Sequence, residues 1–505
     1  MSAADNLEKR RPKKWVVIFT MVFLPALVCL FYLEEDVRGK WGWSKFKHAE
    51  EASAEKFAVS DFVPPAVPDE QNFAMTPLLR PVFDYTHGTN GTVWRDTNGW
   101  GHLMSLNPGE LPNRVLGDPE QGELVDLGAA AAFYRGNTNY PQCASPADPG
   151  EVVLTALNKF APELRELKEA AEARPLSRFP VEYNCDPPSD ILLPHLAPIK
   201  GLTMLCELRA VAELETQHAP GALADLQLAF HLSDAIRDEP LMIDHLVRLA
   251  TLTIAIQGIR EGIARHAWTD AQLRGFENYL ANVDVLSEFE HAARGERAVQ
   301  IGTLDYLRRH NGKALQDNPS KAPQPDSYAF YWVPSGWYYQ NMRLIGEMFL
   351  DDILRSVDAE NHFVSIYESR HMQADLARRH LGPYNFYAKM TISKLNSVVS
   401  RPARAQTWVD SARVACALER YRLEYHGLPD DLGALSPQFI AKIPNDVIGL
   451  GRDPLHYRKK SDGTYVLYSV GWNGEDDGGV PGLRTGSTPR ANNFQGDWVW
   501  QFPVK

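Results

Sequence analysis

Signatures of the common enzyme classes are missing from this sequence. It has no G-x-S-x-G nucleophile elbow, no H-E-x-x-H zinc motif, no phosphate-binding P-loop and no dinucleotide-binding glycine fingerprint. Each of these motifs supplies a specific geometry for a nucleophile, a metal ion or a phosphate group. Their absence argues against the enzyme families that depend on them, and a non-catalytic protein is the preferred interpretation.

Cysteine is scarce, with five residues in a chain of 505, and no pair has the spacing of zinc ligands. Cys206 and Cys416 fall within helical patterns, where cysteine is usually a buried thiol. Cys143 and Cys185 lie in loops rich in proline and asparagine, where an oxidising compartment would allow a disulfide. The sequence argues against a zinc–cysteine site and leaves open whether Cys143 and Cys185 are bonded or free.

A basic surface is also absent. Lysine and arginine total 52 against 64 aspartate and glutamate residues, which gives a formal net charge of -12. Proteins that bind nucleic acid need a basic face to neutralise phosphates, and no stripe of lysine and arginine is present outside the N-terminus. We therefore exclude a nucleic-acid partner.

One uncharged apolar run, residues 15–33, is long enough to cross a bilayer as a helix. Five basic residues precede it within residues 1–14, which predicts a cytoplasmic tail and an exported C-terminal part. A cleaved signal peptide is the alternative. Because the apolar run is longer than a usual signal sequence and lacks a small-x-small exit, we expect a retained transmembrane anchor in a bacterial inner membrane.

The next two segments have little periodicity. Residues 34–72 combine a polar stretch rich in alanine and glutamate with Pro64, Pro65 and Pro68, a composition that predicts a stiff juxtamembrane spacer. Residues 73–148 are dense in glycine, asparagine, aspartate and proline, which predicts irregular structure packed on the following domain.

Residues 149–399 change to helical periodicity and predict a helical bundle domain. Within it, two antiparallel helices turn at Ala219-Pro220-Gly221. Residues 241–263 are apolar nearly all round, which is typical of a central bundle helix. A second membrane span is the alternative, but Asp244, His245 and Arg248 make it costly. Thr269 and Gln272 predict a capping box at the start of the next helix.

Several ionisable side chains of this domain could converge inside the bundle and form an acid/base or metal site. A satisfied structural network explains the same pattern, and we favour it because Asp244 and Arg248 stand four residues apart and would pair on any helix. The candidates are His231, Asp234, Asp244, His245, Arg248, His291, Arg294 and Arg297.

The C-terminal residues 400–505 have the pattern of a separate α+β unit. A long helix over residues 406–425 is followed by Gly427 and Pro429, which end helices, and by a short helix over residues 435–440. Two alternating runs, residues 455–459 and 464–470, then flank Ser461-Asp462-Gly463 and predict a β-hairpin.

This order of elements resembles the globular domain of the major pseudopilins of type II secretion systems and of related type IV pilin-like proteins. The matching motifs are Ala417-Leu418-Glu419-Arg420-Tyr421, Gly427-Leu428-Pro429, Ile443-Pro444-Asn445-Asp446, Leu455-His456-Tyr457-Arg458, Tyr468-Ser469-Val470-Gly471 and Gly496-Asp497-Trp498. Pilins carry a glutamate just inside the apolar helix, whereas Glu34 and Glu35 follow it here, so we do not expect a processed fibre subunit. The rest of the chain resembles bacterial membrane-anchored helical proteins.

An acidic loop with four glycines lies between the predicted hairpin and the closing Gly496-Asp497-Trp498. Clustered oxygen donors among glycines suit a hard cation such as calcium, and the resemblance to pseudopilins implies calcium in this loop with carbonyl ligands at Val470 and Gly471. A solvated turn without an ion is the alternative. The predicted metal residues are Val470, Asn473, Glu475, Asp476, Asp477 and Asp497.

These observations predict a mainly α protein, with one N-terminal transmembrane helix, a helical bundle and a small C-terminal pilin-like α+β domain. The preferred function is non-catalytic binding or scaffolding at the cell envelope, with an envelope protein partner and an association with a secretion or pilus-like system. The alternative is an envelope hydrolase with an acid/base or metal site in the helical domain. Fold-level resemblance supplies no reaction.

Overall fold

The computed structural model is 58% helical and 8% strand, and its small sheets include those at the C-terminus, as predicted. The residues that it describes are 14–88, 91–112, 115–117, 122–144, 147–310, 333–392, 398–449, 453–484 and 490–502.

The first helix, α1 (Lys14–Ala52), is 39 residues long and has two different halves. From Phe19 to Leu33 the described apolar side chains are exposed, whereas Trp43 near the other end is buried. Phe57 and Phe62, which follow the helix, are buried as well. The segment predicted to be a spacer, residues 34–72, is therefore helical as far as Ala52 and packs against the rest of the protein.

Residues 73–148 form short elements that pack on the bundle. A hairpin pairs β1 (Tyr85–Gly88) with β2 (Gly91–Trp94), and two helices follow, α2 (Thr97–Met104) and α3 (Leu127–Arg135). Their buried side chains, such as Leu103, join the main hydrophobic core. The segment therefore contains more regular structure than its glycine and proline content predicts.

Seven helices make up the bundle. They are α4 (Pro149–Leu157), α5 (Ala161–Ala173), α6 (Leu196–Glu215), α7 (Ala219–Asp234), α8 (Met242–Ala264), α9 (Asp270–Leu280) and α10 (Val285–Arg309). Thr269 and Gln272 form the predicted capping box at the start of α9, because each side chain accepts a hydrogen bond from the other residue's backbone amide. Local chemistry thus sets this helix boundary.

Helix α8 is long and apolar enough to cross a membrane, yet 67% of its most apolar window is buried inside the protein. Leu252, Ala255 and Ile259 are almost fully enclosed by neighbouring helices. This burial agrees with a central bundle helix and not with a second membrane span.

A second group of elements follows the bundle: α11 (Ser335–Glu347), a π-helical turn (Met348–Leu354), a small hairpin of β3 (Val357–Asp358) and β4 (Phe363–Val364), α12 (Ile366–Arg378) and α13 (Phe386–Ile392). They share a hydrophobic cluster with α10 and with Trp43 of α1.

The C-terminal part begins with α14 (Ser400–Tyr425), which ends at His426 in a left-handed conformation. The strands are β5 (His456–Lys459), β6 (Tyr465–Ser469), β7 (Pro481–Arg484), β8 (Arg490–Gly496) and β9 (Trp498–Phe502). β5 and β6 form the predicted hairpin, β9 extends it on the other side of β6, and β7 pairs with β8. A 3₁₀ turn (Leu432–Leu435) stands close to where the short second helix was predicted, and residues 435–440 are not α-helical.

Most residues of helix α14 are buried, and the helix does not lie on its own sheet alone. Arg413 bonds Glu277 of α9 at 3.2 Å, Arg420 bonds Asp270 at 2.8 Å, and Gln406 accepts a hydrogen bond from the backbone of Val285 at 2.9 Å. One hydrophobic cluster contains the apolar residues of α14, β6 and α6 to α9. A boundary at residue 400 therefore does not coincide with a break in the core.

All five cysteines are unbonded. Cys206 and Cys416 are buried in helices, as their positions predict, and Cys143 and Cys185 are partly exposed thiols. The disulfide that the sequence left open between Cys143 and Cys185 is not formed in the structure.

Candidate functional site

The predicted calcium residues lie together in the loop after β6, but most of their oxygens bind the loop itself. Asp497 is 2% exposed and accepts hydrogen bonds from the amides of Asp477, at 3.2 Å, and Gly479, at 2.6 Å. Asn473 donates to Asp477 at 2.7 Å, and Asp476 accepts from the amide of Gly478 at 2.9 Å. The carboxylates are thus brought together around backbone donors.

Two further contacts shape this loop. Arg370 of α12 donates to the carbonyl oxygens of Trp472, at 2.9 Å, and Asn473, at 3.3 Å. Val470 donates its amide to Asp446 at 3.0 Å, and Asp446 also accepts from the hydroxyl of Ser469. A guanidinium therefore already contacts two carbonyls beside the predicted ligands.

The pKa values of the loop carboxyls differ with burial. Burial raises the pKa of Asp497, although the two amide donors oppose the shift. The amide of Gly478 lowers the pKa of the exposed Asp476. Glu475 is exposed, and its amide donates to the side-chain oxygen of Asn473 at 3.3 Å.

The polar side chains predicted to converge inside the bundle lie in several separate clusters. Arg248 is fully buried and binds Asp234 at 2.9 Å, Glu288 at 3.3 Å and the hydroxyl of Ser233 at 2.6 Å. Its partner is therefore not Asp244, which the i, i+4 spacing predicted. The expectation was wrong because α7 and α10 bring carboxylates to Arg248, while the first turn of α8 turns Asp244 toward other residues.

The basic residues Arg294 and Arg297 of α10 belong to a second cluster. Arg294 and Arg297 both bind Glu55, at 3.3 Å and 2.7 Å, and Arg297 also donates to the carbonyl of Lys56. Their role is to fix the segment after α1 on the bundle. His291 lies near Phe62 of the same segment, with 6.1 Å between ring centroids.

His245 is enclosed in the core, 5.9 Å from the ring of Phe289. Burial, helped by the nearby Arg248, lowers the pKa of His245 to about 3. The imidazole is therefore neutral at physiological pH.

His231 and Asp234 line an open, mostly apolar pocket of 490 Å³ between α7 and α9. The hydroxyl of Tyr279 donates to Asp234 at 2.9 Å, and Phe73 packs edge-on against His231 at 4.4 Å. Burial lowers the pKa of His231, and its Nε2 is buried without a hydrogen-bond partner. Apolar walls with a few polar groups are typical of small-molecule pockets.

A larger pocket of 660 Å³ lies between α6, α8, α14 and β8. Lys200 and Arg401 contribute positive charge, whereas Leu249, Trp408 and Phe494 contribute apolar walls. The combination suits a ligand with an anionic group and an apolar body.

A compact group of three titratable side chains includes two that the sequence did not single out. His195 Nε2 lies 2.8 Å from Glu239 Oε2, and Asp244 completes a set in which one ligand atom of each residue lies within 4.8 Å of the others. All three are buried, with 1%, 6% and 0% of their surface exposed. Among the described residues this is the set of three that metal-ligand spacing selects, and the acidic loop does not provide one.

Burial dominates the electrostatics of this cluster. It lowers the pKa of His195 to about 4 and raises the pKa of Glu239 to about 8. It also raises the pKa of Asp244 well above its ordinary value, and the nearby Glu239 adds to that shift. The carboxyl groups of Glu239 and Asp244 hydrogen-bond each other. His195 Nδ1 is buried without a partner, which costs about 1–3 kcal/mol.

Another polar cluster joins α1 to α11. Glu35 is 2% exposed and accepts hydrogen bonds from Arg38, from Tyr384 at 2.9 Å and from Trp337 at 3.1 Å. Burial acts to raise the pKa of Glu35, but the bonds from Tyr384 and Arg38 outweigh it and lower that pKa.

Sequence reasoning singled out Asp244 but missed His195 and Glu239. A usable signal was present, because two antiparallel helices turning at residues 219–221 place the start of α6 and the end of α7 at the same end of the bundle. His195 precedes α6, and Glu239 follows α7. No fixed spacing links residues that far apart in the chain.

No family model, curated protein or solved structure matches this chain.

Proposed function

We propose that this chain is a membrane-anchored protein of the bacterial inner membrane whose exported part has a non-catalytic binding or scaffolding role. The observation that carries the proposal is the division of α1 into an apolar exposed half and a clamped half. Phe19, Leu24, Leu30 and Leu33 are 60–64% exposed within a run without charge, although apolar side chains of this size are normally buried. A bilayer would cover them.

The clamped half of α1 supports a rigid connection to the exported part. Gly39 and Gly336 allow α1 and α11 to touch backbone to backbone, because a Cβ on either glycine would overlap the other helix. Asp36 accepts the amide of Gly336 at 2.8 Å, at the start of α11. The anchor and the bundle would thus move together, which suits a scaffold.

The pocket between α6, α8, α14 and β8 supports a binding role. Its cations, Lys200 and Arg401, stand beside Trp408 and Leu249, so an anionic ligand with an apolar body would find both charge and apolar contact. An envelope protein could present such a group, and so could a small molecule.

The order of α14 and the sheet β5–β6–β9 is consistent with the pilin-like interpretation. We therefore propose an association with a secretion or pilus-like system as the context of the scaffold. The association rests on fold-level analogy. A pull-down that recovers no envelope partner would remove it from the proposal.

Topology and retention test the anchor directly. A reporter fused after Lys505 should be active outside the cytoplasm, and the intact chain should stay in the membrane fraction after washing with alkali and salt. A mature N-terminus located after Leu33 would show that residues 15–33 are a cleaved signal and would overturn the anchor.

Calcium remains part of the proposal. If the loop residues bind it, calcium should raise the melting temperature of the full chain in detergent, with a gain of about 2.7 kcal/mol at a hundred times the dissociation constant. Magnesium should do less because it prefers a smaller octahedral shell. Replacing Asp476 and Asp477 by asparagine should remove the calcium effect. Equal melting temperatures in calcium and in chelator would refute the site.

An envelope hydrolase is the second candidate, and the pocket with His231 and Asp234 favours it. A neutral imidazole in a pocket can act as a general base. Asp234, however, is held by Arg248 and Tyr279. Hydrolysis of ester or glycoside reporters that is lost in His231→Gln, but retained in the surface variant His102→Gln, would replace the scaffold by an enzyme. Equal rates in both variants would remove the hydrolase.

A further inference from the structure

The buried cluster of His195, Glu239 and Asp244 lies where three parts of the fold meet. His195 stands directly before α6, Glu239 lies in the turn between α7 and α8, and Asp244 is in the first turn of α8. Gly295 of α10 closes over that turn, because a Cβ there would overlap the backbone of Pro240. The cluster therefore lies beneath a close contact between α10 and the α7–α8 turn.

Incomplete hydrogen bonding marks this cluster. His195 Nδ1 is buried without a hydrogen-bond partner, and the carboxyl groups of Glu239 and Asp244 hydrogen-bond each other, which requires them to share a proton. Buried polar atoms in native proteins nearly always have partners, so an unpaired imidazole nitrogen beside two carboxyl groups with a shared proton requires an explanation such as a bound ion. Each of these atoms is of a type that binds metals: an imidazole nitrogen or a carboxylate oxygen.

Charge gives the second argument. Among the described residues, no lysine or arginine forms an ion pair with Glu239 or Asp244, whereas the fully buried Glu261 pairs with Arg265. Ionising both carboxyl groups would place a charge of minus two in an enclosed site, and burying that charge without compensation is costly, so the pair keeps a proton unless a cation is bound. One divalent cation supplies the matching charge.

The surroundings resemble the shell of a buried metal site. Phe179 stacks on the ring of His195 with centroids 4.3 Å apart, and Phe83 lies 5.5 Å away. The backbone amide of Leu241 donates to Asp244 Oδ2 at 3.1 Å, which fixes the orientation of that carboxylate. Hydrogen bonds to ligands and an apolar shell are what position first ligands around a metal.

We propose that His195, Glu239 and Asp244 bind one divalent transition-metal ion of the zinc type, which ties the start of α6 to the α7–α8 turn. Zinc–ligand bonds are about 2.1 Å, so ligand atoms on one ion lie about 3.4 Å apart. Closing from a separation of up to 4.8 Å requires a change of at most about 1.4 Å between ligand atoms. Mixed nitrogen and oxygen donors favour zinc, iron or manganese over calcium, which prefers oxygen alone.

Metal binding can be measured on the purified full chain in detergent. After chelation, exposure to zinc and removal of excess metal, about one zinc ion per chain should remain, and zinc should raise the melting temperature of the chelated protein. Magnesium and calcium should produce neither effect at this site. Cobalt in place of zinc should give visible absorption bands from coordinated cobalt.

The variants Glu239→Gln and Asp244→Asn keep the shape of the side chains and remove the charge. Each should retain less than about a tenth of the zinc and should lose the zinc-dependent rise in melting temperature. Glu163→Gln is the matched control. Glu163 forms a His–Glu pair with His102 at 2.9 Å, close to the 2.8 Å between His195 and Glu239, but this pair lies at the surface. That variant should bind zinc as the unmodified chain does.

Two results would overturn the site. One is an unmodified chain, folded by circular dichroism, that retains no zinc and shows no zinc-dependent change in melting temperature. This measurement does not depend on any variant folding. The other is zinc retention by Glu239→Gln and Asp244→Asn equal to that of the unmodified chain, which would place the metal elsewhere.

Discussion

Helices α1 and α8 each contain a long apolar run, and the two runs have opposite surroundings. The apolar side chains of α1 from Phe19 to Leu33 are exposed, whereas those of α8, such as Leu252, are buried among other helices. Apolar content alone does not separate the two cases. What separates them is the charged residues: α8 contains Arg248, whose charge is met by Asp234 and Glu288 from neighbouring helices, and residues 15–33 contain no aspartate, glutamate, lysine or arginine.

Removal of the same side chain from each helix should have very different effects. Leu252→Ala in α8 leaves a cavity in a packed core and should lower the free energy of unfolding by about 2–5 kcal/mol. Leu27→Ala in α1 removes a side chain that is 45% exposed and should change it little. Thermal unfolding of both variants in detergent measures the difference. Equal losses would mean that α1 is packed against protein and would break the comparison.

The clamped half of α1 should respond to a single methyl group. Gly39→Ala places a Cβ against the backbone of Gly336, so we expect a loss of about 1–3 kcal/mol as α1 and α11 move apart. Gly101→Ala in α2 is the control, because no atom lies within 4 Å of its added Cβ, and alanine there should stabilise the helix by about 0.5–1 kcal/mol. Two changes of the same sign would contradict a tight contact between α1 and α11.

Acid should weaken the same clamp through Glu35. Because hydrogen bonds hold the pKa of Glu35 below its ordinary value of 4.5, the folded protein keeps this carboxylate ionised to a lower pH than the unfolded chain does. Its contribution is therefore present above about pH 4.5 and is lost as the pH falls through the lowered folded pKa.

Glu35→Gln should cost about 1 kcal/mol at pH 7, and the difference from the unmodified chain should shrink toward pH 3. Melting temperatures measured across this range test the prediction. Glu34→Gln is the control, because Glu34 is exposed and bonds only Arg38. A difference between Glu35→Gln and the unmodified chain that is independent of pH would exclude the carboxylate as the cause.

Elements set by local chemistry were predictable from the sequence. The capping box of Thr269 and Gln272, the central position of residues 241–263 and the hairpin across Ser461-Asp462-Gly463 all follow from patterns within a few residues. The helical extension of α1 was missed because charged residues obscured the stripe of Glu35, Gly39 and Trp43, which recurs every four residues and faces α11.

Contacts between distant segments were not predictable in the same way. Arg248 stands four residues from Asp244, yet its partners come from α7 and α10 because the bundle supplies closer carboxylates. Likewise, the apolar residues of α14 suggested a helix for its own sheet, and the structure shows that α9 contacts it as well. His195 and Glu239 meet only because α6 and α7 are antiparallel, a relation that a motif cannot express.

The absence of a loop within α1 has a mechanical consequence. If residues 15–33 occupy a bilayer, the remaining 19 residues to Ala52 form a lever of about 28 Å, at about 1.5 Å per residue. A change of about 10° in the tilt of residues 15–33 in the bilayer would then move the far end of the lever by about 5 Å. Helices adjust their tilt to the thickness of the hydrocarbon layer, so bilayer thickness would be converted into the angle at which the exported part faces its surroundings.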